Sequence, residues 1–124
     1  MPTVITVCDT CRTEGRDIAE GQERDGVKLA ALVEAAADGN KDVTVRRHSC
    51  LMGCKGGCNV TLQNGDKLTY VLGHFAPDTD AAEGIVEYAT LHAKSALGQV
   101  PFKQWPAAIK GHFVARIPAP DDPA

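Results

Sequence analysis

Residues 3–7, Thr-Val-Ile-Thr-Val, are β-branched and run directly into Cys8, which is the pattern of a buried strand. Residues 9–24 are polar and glycine-containing and read as a loop. From residue 25 to 38, Val27, Leu29, Ala30, Leu32, Val33, Ala36 and Ala37 recur at helical spacing. Asp25 is a suitable N-cap for that amphipathic helix and Gly39 a suitable stop. Residues 43–48, Val-Thr-Val-Arg-Arg-His, predict a second strand ending just before Cys50. Two further runs, Asn59–Gln63 and Lys67–Leu72, flank Asn64-Gly65, a pair that favours a hairpin. Pro77-Asp78-Thr79-Asp80 opens a second helix over residues 80–97, capped by Asp78 or Thr79 and ended by Gly98. Ile85, Tyr88, Ala89 and Leu91-His92 supply its buried stripe.

The predicted order is β-α-β-β-β-α, an α/β domain with a mixed four-stranded sheet over residues 1–100. Strand, helix and strand at the start imply a parallel pair with a right-handed crossover. A parallel pair followed by an antiparallel hairpin and a last helix is the thioredoxin-like arrangement. Five of the seven prolines fall at 101, 106, 118, 120 and 123, so residues 101–124 predict an extended tail. Phe102, Trp105 and Phe113 would pack it on the body, with Trp105 as an anchor.

Composition narrows the function classes. Hydrophobic residues make up 44% of the 124, enough for a core, but aromatics only 5%. A small aliphatic core gains from a staple, whether a metal or a partner subunit. A net charge of −3 gives no reason to expect nucleic acid. No apolar run is long enough to cross a bilayer, and Met1-Pro2-Thr3-Val4 has no secretory leader pattern, so the expectation is a cytoplasmic protein. No Ser-His-Asp set, phosphate-binding glycine loop or carboxylate pair supports a hydrolase or a kinase.

Five cysteines change that picture. They are grouped as Cys8-x2-Cys11 and Cys50-x3-Cys54-x3-Cys58. In a reducing compartment two tight groups read as metal ligands or a reactive thiol pair, not as structural disulfides. Cys8 and Cys50 each follow a predicted strand; if those strands are parallel neighbours, both loops emerge at one sheet edge. Gly53, Gly56 and Gly57 would let backbone N–H groups approach bound sulfur closely. Arg12, Arg16, Arg46, Arg47 and Lys55 would offset cluster charge or guide an acidic partner, or simply lie solvated. Four thiolates suit zinc and iron–sulfur alike.

Cys50-Leu51-Met52-Gly53-Cys54-Lys55-Gly56-Gly57 resembles the second half of the thioredoxin-like [2Fe–2S] ferredoxins and the related small subunit of respiratory complex I. Val7-Cys8-Asp9-Thr10-Cys11-Arg12 and Val114-Ala115-Arg116-Ile117-Pro118 resemble an uncharacterised bacterial family of predicted metal-binding proteins, often encoded beside cobalamin-synthesis genes. The resemblance implies a [2Fe–2S] one-electron carrier, often a homodimer, with Cys8, Cys11, Cys50 and Cys54 as ligands. It implies a reductase or oxidoreductase as partner, with cobalamin metabolism as the expected setting. The first pair is closer together than in those ferredoxins, and Cys58 stands where they carry proline. Which four of the five cysteines ligate therefore stays open.

Three other readings compete. Structural zinc would use four cysteines, or three and His48, and perform no chemistry. A thiol oxidoreductase would use Cys8-x2-Cys11, but no proline occurs between Pro2 and Pro77 to stand beside the pair. Metal delivery, of cobalt for example, follows only from the cobalamin association. His74, His92 and His112 read as packing or surface residues.

Overall fold

The computed structural model describes residues 2–8, 25–48, 58–65, 67–75, 78–96 and 98–118, with Asp25 and Cys58 described by their backbone alone. The elements run β1 (Thr3–Cys8), α1 (Asp25–Ala37), β2 (Val43–His48), β3 (Cys58–Gln63), β4 (Thr69–Phe75), α2 (Thr79–Lys94) and β5 (Phe113–Ile117). The strands form one sheet in the order β2-β1-β3-β4-β5. β1 and β2 are parallel, and every other neighbouring pair is antiparallel.

Alternation along the strands fixes which face is covered. Ile5 and Val7 of β1 pair with Leu62 and Val60 of β3, and all four are fully buried. Thr3 on the same face reaches His92 of α2, while Arg47 of β2 reaches Glu34 of α1. Both helices therefore lie on one side of the sheet. Leu29, Ala30 and Val33 of α1 and Ile85, Tyr88 and Ala89 of α2 complete the core beneath them. Val4, Thr6 and Cys8 turn to the opposite face, which no helix covers among the described residues.

Several sequence expectations hold closely. α1 ends at Ala37, and Gly39 adopts φ +77°, the left-handed backbone that glycine takes without strain. Asp78 caps α2, its Oδ1 accepting from the Ala81 N–H at 2.7 Å. The turn of the β3–β4 hairpin carries Gly65 at φ +52° and closes with the Lys67 N–H donating to the Asn64 carbonyl at 3.0 Å. β4 starts at Thr69 and runs on to Phe75, beyond the predicted Leu72.

The strand count is corrected from four to five. The prolines that suggested a purely extended tail flank residues 113–117 without interrupting them, leaving Phe113–Ile117 able to pair with β4. Before β5 the tail makes two 3₁₀ turns, Phe102–Gln104 and Ala107–Ile109. The second packs on α2 so closely that a Cβ on Gly84 would lie 2.8 Å from the Cβ of Ala108.

The end of α2 is corrected as well. It stops at Lys94, with Ser95 in extended conformation, three residues before the predicted limit. Lys67 Nζ donates to the carbonyls of His92 and Ala93, satisfying the helix terminus from the hairpin side. Gly98 is not the helix stop. It lets the chain pass over the His92 ring, where a Cβ would lie 2.8 Å from Nε2.

Candidate functional sites

The cysteine positions are organised by the β1–β2 register. Cys8 is the last residue of β1, and its partner across the parallel pair is His48, the last residue of β2. Cys50 follows His48 by two residues in sequence. β3 runs the other way: Val60 pairs with Val7, so β3 begins, at Cys58, at the same end of the sheet. The strand ends carrying Cys8 and His48 and the strand start carrying Cys58 thus share one edge. Cys11, Cys50 and Cys54 lie outside the described residues, as do Arg12, Arg16 and Lys55.

Cys8 is fully buried. Thr6, two residues before it on the same face, accepts a hydrogen bond from Arg46 Nε at 2.7 Å, which brings a guanidinium to the Cys8 side of the sheet. His48 is exposed on that side. Arg47 is occupied otherwise: its guanidinium grips the Glu34 carboxylate in two hydrogen bonds, of 2.6 and 3.2 Å. That contact holds Glu34 below the usual carboxylate range against the opposing effect of burial, and the Arg47 charge adds to the lowering. Arg47 therefore ties α1 to β2. Among the described residues, no three His, Cys, Asp or Glu side chains converge as a metal site.

Of the histidines expected to pack or to lie on the surface, His74 is exposed, and His92 and His112 pack. His92 is fully buried; its Nε2–H donates to the Leu68 carbonyl at 2.6 Å and its Nδ1 accepts from the Thr3 hydroxyl at 2.8 Å. Asn64 donates in turn to the Thr3 hydroxyl at 3.2 Å. Burial pushes the His92 imidazole below its usual range and Lys67 adds to the effect, against the opposing pull of the Leu68 carbonyl. His112 stacks on Phe75 with ring centroids 4.3 Å apart, and its Nδ1 bonds the Gly73 carbonyl.

A second feature escaped the motif reading. Tyr70 of β4, Phe113 of β5 and the tail residues Phe102 and Trp105 wall a hollow of about 410 Å³ that also carries Gln99 and Arg116. The sequence offered a signal: all six aromatic residues lie after residue 69. What it could not offer was β5, which brings Phe113 and Arg116 beside Tyr70.

No helix among the described residues is long and apolar enough to cross a membrane. No curated protein and no solved structure matches the chain. Residues 5–119, which take in both cysteine groups and the aromatic tail, match a family described as "Protein of unknown function (DUF1636)", and the chain belongs to that family.

Proposed function

We propose that this protein is a thioredoxin-like [2Fe–2S] one-electron carrier whose ligands are four of Cys8, Cys11, Cys50, Cys54 and Cys58. The observation that carries the reading is the register that sets Cys8 beside His48 at the end of the sheet where β3 begins with Cys58. The parallel β1–α1–β2 unit followed by the β3–β4 hairpin and α2 supports the fold assignment. The donor set suits the group: soft thiols at strand ends, with Cys8 withdrawn from water and Arg46 available to balance negative charge on its face. A bound cluster would supply a site for one electron. Cys8 would exclude water from its side of the site, and His48 and Arg46 would present a polar, partly cationic surface to a reductase or redox enzyme. A homodimeric state and a partner in cobalamin metabolism belong to the same proposal and rest on the family resemblance, and cytoplasmic residence is proposed with them.

The test is analysis of anaerobically purified protein for colour, paramagnetic resonance, iron, sulfide and zinc. The expected result is a brown-red protein with about two irons and two sulfides per chain. Serine at both Cys50 and Cys54 should erase the visible spectrum, and an intact spectrum in that variant would overturn the ligand assignment. Structural zinc is the second reading, favoured by His48 standing beside Cys8. A colourless protein holding about one zinc per chain would decide for it.

A further inference from the structure

The aromatic hollow has no cysteine on its described lining and is built as a site in its own right. Its walls come from separate stretches of chain held in fixed relation. Trp105 lies 4.5 Å from Phe113 and 4.9 Å from Phe102, centroid to centroid, with the ring planes tilted. Tyr70 meets Phe113 edge to face at 5.7 Å. The indole is locked, because its Nε1–H donates to the Val100 carbonyl at 2.9 Å. Phe102 is held from outside by the Lys110 ammonium, 4.9 Å from its ring centre. Even so, Phe102 remains 63% exposed and Val114, also on the wall, 54%. A locked set of rings around an open apolar space is the usual form of a small-molecule site, and about 410 Å³ is within the range of such sites.

Charge selects the ligand class. Arg116 is the one ionised side chain on the lining among the described residues, and its strand position pairs it with Tyr70. Among the described residues it has no acidic partner. A guanidinium beside aromatic faces matches a carboxylate carried on a flat ring system: the fork takes two oxygens and the rings take the ring. Behind the wall stands Tyr88, fully buried and packed edge-on against Tyr70 and Phe113 at 5.5 and 5.4 Å. Among the described residues its hydroxyl has no hydrogen-bond partner in proper geometry, although Tyr70 is close enough to influence it. Buried polar atoms are seldom left so, and the ring that carries this one packs against three wall residues, Tyr70, Trp105 and Phe113.

We propose that this hollow binds a small planar aromatic carboxylate, with its acidic group on Arg116 and its ring among Tyr70, Trp105 and Phe113. The proposal needs no bound metal. Trp105 is the only tryptophan, so its fluorescence reports the hollow directly.

The experiment is titration of the purified full chain with 2-naphthoate, 2-naphthalenemethanol and acetate, following Trp105 emission and repeated by calorimetry. Saturable binding of 2-naphthoate is expected, with the neutral alcohol and Arg116→Gln each weakening it about tenfold and acetate not binding. Phe102→Ala, at an exposed position, should also weaken binding while leaving the thermal unfolding midpoint unchanged. Absence of saturable binding, or equal affinity for the alcohol or in Arg116→Gln, would overturn the proposal. So would self-association in sedimentation that Phe102→Ala abolishes and naphthoate does not affect, because the hollow would then receive a second copy of the chain.

Discussion

The two ends of the sequence build their share of the core from different materials. β1, α1 and β2 contribute Ile5, Val7, Leu29, Val33 and Val43, all aliphatic. β4, α2 and the tail add Tyr70, Phe75 and Tyr88 to aliphatic residues such as Leu72, Ile85 and Ile109, and are joined at the edge by Trp105 and Phe113. Aliphatic side chains stabilise in proportion to the area they remove from water and impose little geometry. Aromatic rings bury more area each and fix one another's orientation through edge contacts. In the aromatic half, ring packing therefore adds to the β4–β5 pairing in holding the strand and the turns. The aliphatic half ends in cysteines, where a metal would supply the constraint that larger side chains supply elsewhere.

That contrast can be broken at the joint between the tail and α2. Gly84→Ala forces a methyl into Ala108, and overpacking of this kind costs about 1–3 kcal/mol. The loss should be local. Hydrogen exchange should quicken in β5 and the 3₁₀ turns while β1 and β2 amides keep their protection. Equal loosening of both halves would show that they unfold as one unit.

A smaller effect joins the halves. His92 links Thr3 of β1 to Leu68 ahead of β4, and it is buried in the neutral form. Its pKa in the folded chain lies below the ordinary value, so the unfolded chain takes up the proton first as pH falls. Its contribution to stability is therefore full above about pH 6.5 and declines as pH drops through that value toward the lower folded pKa. Urea midpoints at about pH 7.5 and pH 5.5 should show the decline, and His92→Gln should flatten that part of it while lowering stability at the higher pH.

The smallest effect sharpens the aromatic side. Burial raises the Tyr88 phenol far above its usual range, Tyr70 adds to the rise, and Arg116 works against it. Because the hydroxyl has no proper partner among the described residues, Tyr88→Phe should leave stability unchanged or raise it by up to about 1 kcal/mol in chemical denaturation. A clear loss would mean that the hydroxyl is satisfied in solution.

Local pattern was enough for what depends on near neighbours. The run Thr3–Val7, the spacing of Leu29, Ala30 and Val33, the stop at Gly39 and the cap at Asp78 are set by side-chain periodicity and backbone sterics within a few residues. The two cysteine groups were equally plain, since thiol spacing is written in the chain. The end of α2 was not, because Lys67 and Leu68, over twenty residues away, decide where its last turn is satisfied. β5 was missed because prolines at 101, 106, 118 and 120 dominate the tail's composition, whereas strand formation depended on the free edge of β4.

By itself, then, the sequence determined the two helices, the first four strands in outline, the cysteine grouping and the aromatic bias of the C-terminal half. Tertiary structure decided that Cys8 and His48 stand side by side at the end of the sheet where β3 begins. It also decided that Tyr70, Trp105, Phe113 and Arg116 enclose one hollow. Both are matters of register and edge pairing between distant segments. Period-two alternation specifies which face a side chain takes, but only the partner strand specifies what it meets there.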